Sequence, residues 1–130
     1  MNIQYTKFIN QYDPVAVSWN NKGDVVLLEF SVVITALYSE ILKQVVVELY
    51  EDNKINFYDS DGVLTSSEII PRLDGYQFRG INKNLNSKTG ISLLFNPVSD
   101  SVGNEWRDVE QYELDFKAKN FLGKKLGIYR

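Results

Sequence analysis

The chain has 130 residues, with 44% hydrophobic and 24% charged side chains, which fits one ordinary folded domain and excludes disorder or a fibrous repeat. It contains neither His nor Cys, so disulfides, thiolate metal sites, serine triads, cysteine–histidine pairs and nearly all zinc hydrolysis are excluded, while paired carboxylates, Lys or Tyr chemistry and oxygen-ligated Mg2+ stay open. The net charge of −3 is uneven: residues 1–116 carry 9 Lys/Arg against 17 Asp/Glu, and residues 117–130 carry five bases and no acid; such a balance repels nucleic-acid backbones and anionic lipid and would attract a basic protein, while a surface that simply keeps the protein soluble is the plainer reading.

The opening segment, with no apolar run after its first lysine, predicts no secretion signal, and no stretch of about 18 apolar residues predicts a membrane span. A short helix is expected at 2–11 or at 35–43, although Leu37, Ile41 and Leu42 would also suit an extended run. Between them "GDVVLLEFSVVI" (23–34) alternates as a strand, with Val26, Leu28, Phe30, Val32 and Ile34 facing the core. "QVVVELYEDNKINFYDSDG" (44–62) predicts a hairpin that turns at "EDNK". Pro71 confines the preceding "EII" to a short or edge strand. "GYQFRGI" and "ISLLF" predict two further strands around the polar loop 82–90, and a second connection runs from Pro97 to Glu105. The segment 105–119 reads as a half-exposed strand, with Tyr112, Leu114 and Phe116 on one face and Glu113, Asp115 and Lys117 on the other. The tail from 120 is apolar enough to dock. The pattern predicts a single domain, 1–130, that is mainly β: an antiparallel β-sandwich or curled half-barrel with one or two short helices, or else α+β.

Three stretches carry candidate chemistry. In "INFYDSDGVLTSSE" (55–68), Asp59, Asp61, Gly62 and Glu68 match positions 3, 5, 6 and 12 of a calcium loop. Position 1 is Phe57, however, and a strand precedes it, so a turn is the favoured reading. "EWRDVEQYELD" (105–115) holds five acids. Its alternation places Asp108 and Glu110 with Tyr112 and Leu114, and Glu113 with Asp115 opposite. A solvated outer face is the plain reading, a partner-binding patch anchored by Trp106 and Tyr112 the next, and a catalytic or Mg2+ carboxylate pair the least supported. The basic end "KAKNFLGKKLGIYR" reads as a docked strand with outward lysines, without an accompanying nucleic-acid motif. Trp19 and Trp106 would serve a sugar-stacking surface, but aromatic rings in a β-rich domain are expected to pack.

As a whole, in length, acidic balance, the strand-rich "GDVVLLEFSVV" and "QVVVELYEDNKINFYD", and the aromatic and acidic "NEWRDVEQYELDF", the chain resembles the small immunity proteins of bacterial contact-dependent-inhibition and other polymorphic toxin systems. The resemblance implies a cytoplasmic, non-catalytic inhibitor without cofactor or metal. It would be a monomer or weak dimer that binds a cognate toxin domain, such as a basic nuclease, and blocks its active site without touching nucleic acid or membrane. Under that expectation Glu105, Asp108, Glu110, Glu113 and Asp115 make electrostatic contacts, Trp106 is an anchor, and Asp59 and Asp61 form a second acidic loop. The alternatives are a carbohydrate or small-ligand-binding β module, and a carboxylate-based enzyme.

Overall fold

A computed structural model describes residues 1–98, 109–118 and 121–129. The eleven elements among them are all strands, arranged in three antiparallel sheets, none of which closes into a barrel. The chain divides into two compact units, Met1–Ile70 and Pro71–Arg130.

Unit 1 contains two sheets. The first has the order β1 (Gln4–Phe8), β2 (Pro14–Asn21), β3 (Asp24–Glu29), and the second has β4 (Ile34–Ser39), β5 (Gln44–Leu49), β6 (Lys54–Tyr58), β7 (Leu64–Ile69). Its core takes Val17 and Trp19 from β2, Ile34 and Ala36 from β4, Val45, Val47 and Leu49 from β5, and Tyr58 from β6, so side chains of both sheets meet in one sandwich-like interior. Val26, Leu28, Phe30, Val32 and Ile34 all lie in or against this core, as their alternation predicts. They do not form one strand, because the chain leaves the first sheet after Glu29 and enters the second at Ile34. The amide of Phe30 still bonds the carbonyl of Val15 at 2.9 Å, and the amide of Tyr50 the carbonyl of Val33 at 3.0 Å, so both ladders continue into the crossing.

Both expected helices are strands instead. Residues 4–8 pair with β2, and Ile34–Ser39 pairs without a register break from Ile34↔Leu49 to Ser39↔Gln44. Ladder bonds and the burial of Ile34 and Ala36 outweigh the modest helix preference of Ala and Leu. The hairpin β5–β6 pairs Leu49 with Lys54 across the expected turn, and β7, ending just before Pro71, is an edge strand.

Unit 2 is one sheet in the order β8 (Tyr76–Lys83), β9 (Ile91–Pro97), β10 (Glu110–Leu114), β11 (Leu122–Ile128). The apolar tail therefore docks as β11 against β10. The segment read as a half-exposed strand is instead an inner strand between β9 and β11, and Glu110, Glu113 and Leu114 on it are buried.

Candidate partner-binding site

The Asp59–Gly62 loop is a turn built from its own carboxylate. Asp59 Oδ1 accepts the amides of Asp61 at 2.9 Å and Val63 at 3.0 Å, and the Gly62 amide bonds the Asp59 carbonyl at 3.0 Å. Gly62 has φ of +84°, and a Cβ there would come within 2.6 Å of Val26 Cγ1, so both the backbone and its neighbour require glycine. The loop is keyed to the β2–β3 hairpin: the Trp19 indole N–H donates to the Ser60 carbonyl at 2.8 Å, and the Asn21 side-chain amide donates to Asp61. Phe57, at the first ligand position of the calcium register, is a buried β6 side chain. Asp59 thus holds the turn together, whereas Asp61 is exposed and can face a partner.

In unit 2, Glu110 and Tyr112 share a face, as their alternation predicts, but that face is an aromatic cluster. Tyr76 and Tyr112 meet edge to face at 6.3 Å, Phe95 and Tyr112 at 5.7 Å, and Phe78 and Phe95 at 5.4 Å. Glu110 is 8% exposed, is ion-paired to Lys125 of β11 and accepts the Tyr112 hydroxyl at 3.4 Å. Burial pushes the Glu110 carboxyl up, but hydrogen bonds from Lys125, Tyr76 and Tyr112 together with the lysine charge outweigh it and hold the pKa below the ordinary value. Burial, the Tyr76 hydrogen bond and the Glu110 charge push Tyr112 up to about 12. The Lys125 ammonium is raised, first by its hydrogen bond to Glu110.

Glu113 points to the opposite face. It is 2% exposed and accepts the Lys88 amide at 2.9 Å, pinning the β8–β9 loop to β10. Asp115 accepts the Lys117 amide at 2.9 Å and pairs with Lys88 Nζ at 3.3 Å. The same face carries a polar network that sequence reasoning missed. Gln111 Oε1 accepts Ser92 Oγ at 2.9 Å and Asn84 Nδ2 at 3.2 Å, and Asn96 Oδ1 accepts Arg79 Nε at 2.6 Å. In the sequence this network is only an alternation of Asn, Ser and Gln with apolar residues across β8, β9 and β10.

Of the eight residues expected to bind a partner, Asp59 and Asp61 are therefore together in unit 1, and Glu110, Glu113 and Asp115 are in and beside β10 with bonds inside unit 2. Glu105, Trp106 and Asp108 lie outside the described residues. Trp19 is 3% exposed, so its ring belongs to the core and offers no stacking platform. Among the described residues no three acidic side chains gather as metal ligands would, and no helix is long and apolar enough to cross a membrane.

The division into units redraws the charge. Residues 1–70 hold four Lys and ten Asp/Glu, a net of −6, and residues 71–130 hold ten Lys/Arg and seven Asp/Glu, a net of +3. Asp24, Glu29, Glu40, Glu51, Asp52 and Asp61 are all exposed in unit 1. Apolar side chains are also exposed in unit 1: Val25 at 71% and Leu27 at 51% on β3, and Tyr12 at 79% in the β1–β2 connection. That connection is ordered by Asn10, whose Oδ1 accepts the amides of Tyr12 at 2.9 Å and Asp13 at 3.1 Å. Comparison with known proteins finds no family model, no curated relative and no solved structure that matches the chain.

Proposed function

We propose that the chain is an immunity protein: a non-catalytic, cytoplasmic inhibitor that binds a cognate toxin domain of basic surface charge and covers its active site. The observation that carries the reading is the concentration of exposed carboxylates on unit 1, which has a net charge of −6 against +3 for unit 2. Exposed acids raise the encounter rate with a basic protein and match its Lys and Arg at the rim, while aromatic and aliphatic groups such as Tyr12 and Leu27 supply contact area that holds the complex. Asp61 belongs to this surface. On the described part of β10, Glu110 and Glu113 bond within unit 2 and organise its sheet.

The test is capture of the tagged protein's partner from a lysate containing the product of the neighbouring gene, at low and at moderate salt. A stoichiometric complex with a basic protein fragment, together with loss of that fragment's toxic activity, is expected. A fragment that stays fully active in the presence of the chain at both salts would overturn the reading. The carbohydrate alternative loses Trp19, because that ring is buried, and no other observation among the described residues favours it.

A further inference from the structure

A sheet edge offers unpaired N–H and C=O groups, and proteins ordinarily blunt such edges with bulges, charges or a covering group. Among the described residues the three sheets have six edge strands: β1, β3, β4, β7, β8 and β11. Four of them, β1, β7, β8 and β11, carry a register shift against their neighbour. The fifth, β4, is capped at its centre. The Tyr5 hydroxyl accepts the Ala36 amide at 2.8 Å and donates to the Ala36 carbonyl at 3.5 Å, which are the two groups that face away from β5.

The sixth, β3, has neither a register shift nor a cap, and its only charges are Asp24 and Glu29 at its two ends. Its pairing with β2 runs unbroken from Asn21↔Asp24 to Ala16↔Glu29. The hairpin turns at Lys22 and Gly23, with φ of 54° and 89°, so Asn21 and Asp24 close the ladder as a bonded pair. Bonded pairs then alternate up to Phe30, whose amide reaches Val15, and the N–H and C=O groups of Val25, Leu27 and Glu29 point to the free edge. These groups have no partner among the described residues. The side chains of the same three residues are exposed, with Val25 at 71% and Leu27 at 51%.

We infer that the free edge of β3 is a strand-addition site for an extended, basic segment of a partner protein. The inference rests on the reading of unit 1 as a partner-binding surface. The incoming backbone pairs with Val25, Leu27 and Glu29, its apolar side chains pack beside Val25 and Leu27, and its Lys or Arg meets Glu29 at one end or Asp24 and Asp61 at the other, where Asn21 holds Asp61 beside the turn. A second copy of the chain fits less well. The segment "DVVLLE" contains no base to set against Glu29, and self-pairing would bring two units of net charge −6 edge to edge.

The probe is a synthetic decapeptide alternating Val with Lys, with a Val/Glu peptide as its control, added to the full chain while amide hydrogen exchange is followed residue by residue by NMR. The Lys peptide is expected to slow exchange at Val25, Leu27 and Glu29 by about tenfold or more. Val26 and Leu28, already in the ladder, should change little, and the Glu peptide should have no effect. Leu27→Pro removes an outward donor that no ladder bond uses, and Leu27→Lys replaces the apolar contact for the probe's Val with a charge while leaving the backbone intact; each should abolish the protection. Binding without protection at these three amides, or equal protection by the Glu peptide, overturns the inference. Protection that grows with the concentration of the chain alone does so too, and identifies a second copy as the occupant. A toxin fragment neutralised while the three amides keep exchanging freely refutes this site and leaves the immunity reading standing. Protection by the Lys peptide with no toxin bound supports the site alone.

Discussion

Unit 1 and unit 2 place their carboxylates in opposite ways. Of the ten acids in unit 1 only Glu48 is buried, whereas on β10 of unit 2 both Glu110 and Glu113 are. A two-sheet unit fills its interior with apolar side chains from both inner faces and leaves charge for the surface. The described part of unit 2 is one four-stranded sheet, and the carboxylates on β10 bind other parts of it: Glu110 holds the edge strand β11 through Lys125, and Glu113 holds the β8–β9 loop through the Lys88 amide. The exposed acids of unit 1, Asp24, Glu29, Glu40, Glu51, Asp52 and Asp61, thus face solvent where a partner can meet them, while Glu110 and Glu113 on β10 are part of the fold. The distinction is tested by substitutions that treat the two kinds of residue alike.

The largest effect belongs to the apolar interior of unit 1. Trp19→Ala removes a 3%-exposed ring and should cost about 3–5 kcal/mol, whereas Trp19→Phe keeps most of the packing and loses the bond to Ser60 and part of the ring volume, about 1–2 kcal/mol. Chemical denaturation of the two variants measures both values. Near-equal stabilities would mean that the ring is not packed as the core requires.

Glu110 comes next. Glu110→Ala leaves the Tyr112 hydroxyl and Lys125 without their acceptor and should cost about 1–3 kcal/mol, with Lys125, half exposed, recovering some of its solvation. The same contacts set a pH dependence. The Glu110 carboxyl is depressed in the folded state, so its contribution is present above the unfolded value of about 4.3 and is lost as pH falls through the lower folded value. Tyr112 is raised to about 12, so its contribution is complete below the unfolded value of about 10 and is lost as pH rises toward 12. Lys125, also raised, acts in the same direction. Denaturation midpoints across pH should fall at both extremes, and Glu110→Ala should flatten the acid limb and weaken the alkaline one, where burial and the Tyr76 hydrogen bond still hold Tyr112 up. An unchanged alkaline limb in the variant would show that the Glu110–Tyr112–Lys125 contacts do not form in solution.

Much of this organisation is legible in the residues, for physical reasons that differ along the chain. Alternation at Val26, Leu28, Phe30, Val32 and Ile34 identifies the core face even though the chain changes sheets midway, because period 2 reports facing and not pairing. Asp-Gly at 61–62 reads as a turn because positive φ is a local demand. The strand at 4–8 reads as a helix and 35–43 stays open between helix and strand, because helix propensities of a few tenths of a kcal/mol are overruled only by ladders with partners elsewhere in the chain. The acids of β10 mislead for the same reason: alternation assigns Glu110 and Glu113 to opposite faces correctly, but only strand order makes β10 an inner strand flanked by β9 and β11, with both acids buried. The open edge of β3 is likewise invisible in the sequence, since an edge is defined by the neighbour a strand lacks.

The smallest effect on stability is the most informative about function. Asp24→Lys and Glu29→Lys reverse exposed charges on β3 with no partner among the described residues, and each should change stability by no more than about 0.5 kcal/mol. Glu110→Lys, the same change in unit 2, sets a second ammonium against Lys125 inside the sheet and should unfold far more of the protein. Association with a basic partner should respond in the reverse order. The double substitution on β3 should slow binding several-fold at low salt and weaken its salt dependence, because it removes the charges that steer the encounter, while leaving the monomer folded. Stopped-flow association at two ionic strengths separates the cases. A β3 double variant that binds at the native rate with the native salt slope would show that the acidic surplus of unit 1 is not what a partner meets, and the docking surface would then have to be sought on the basic unit.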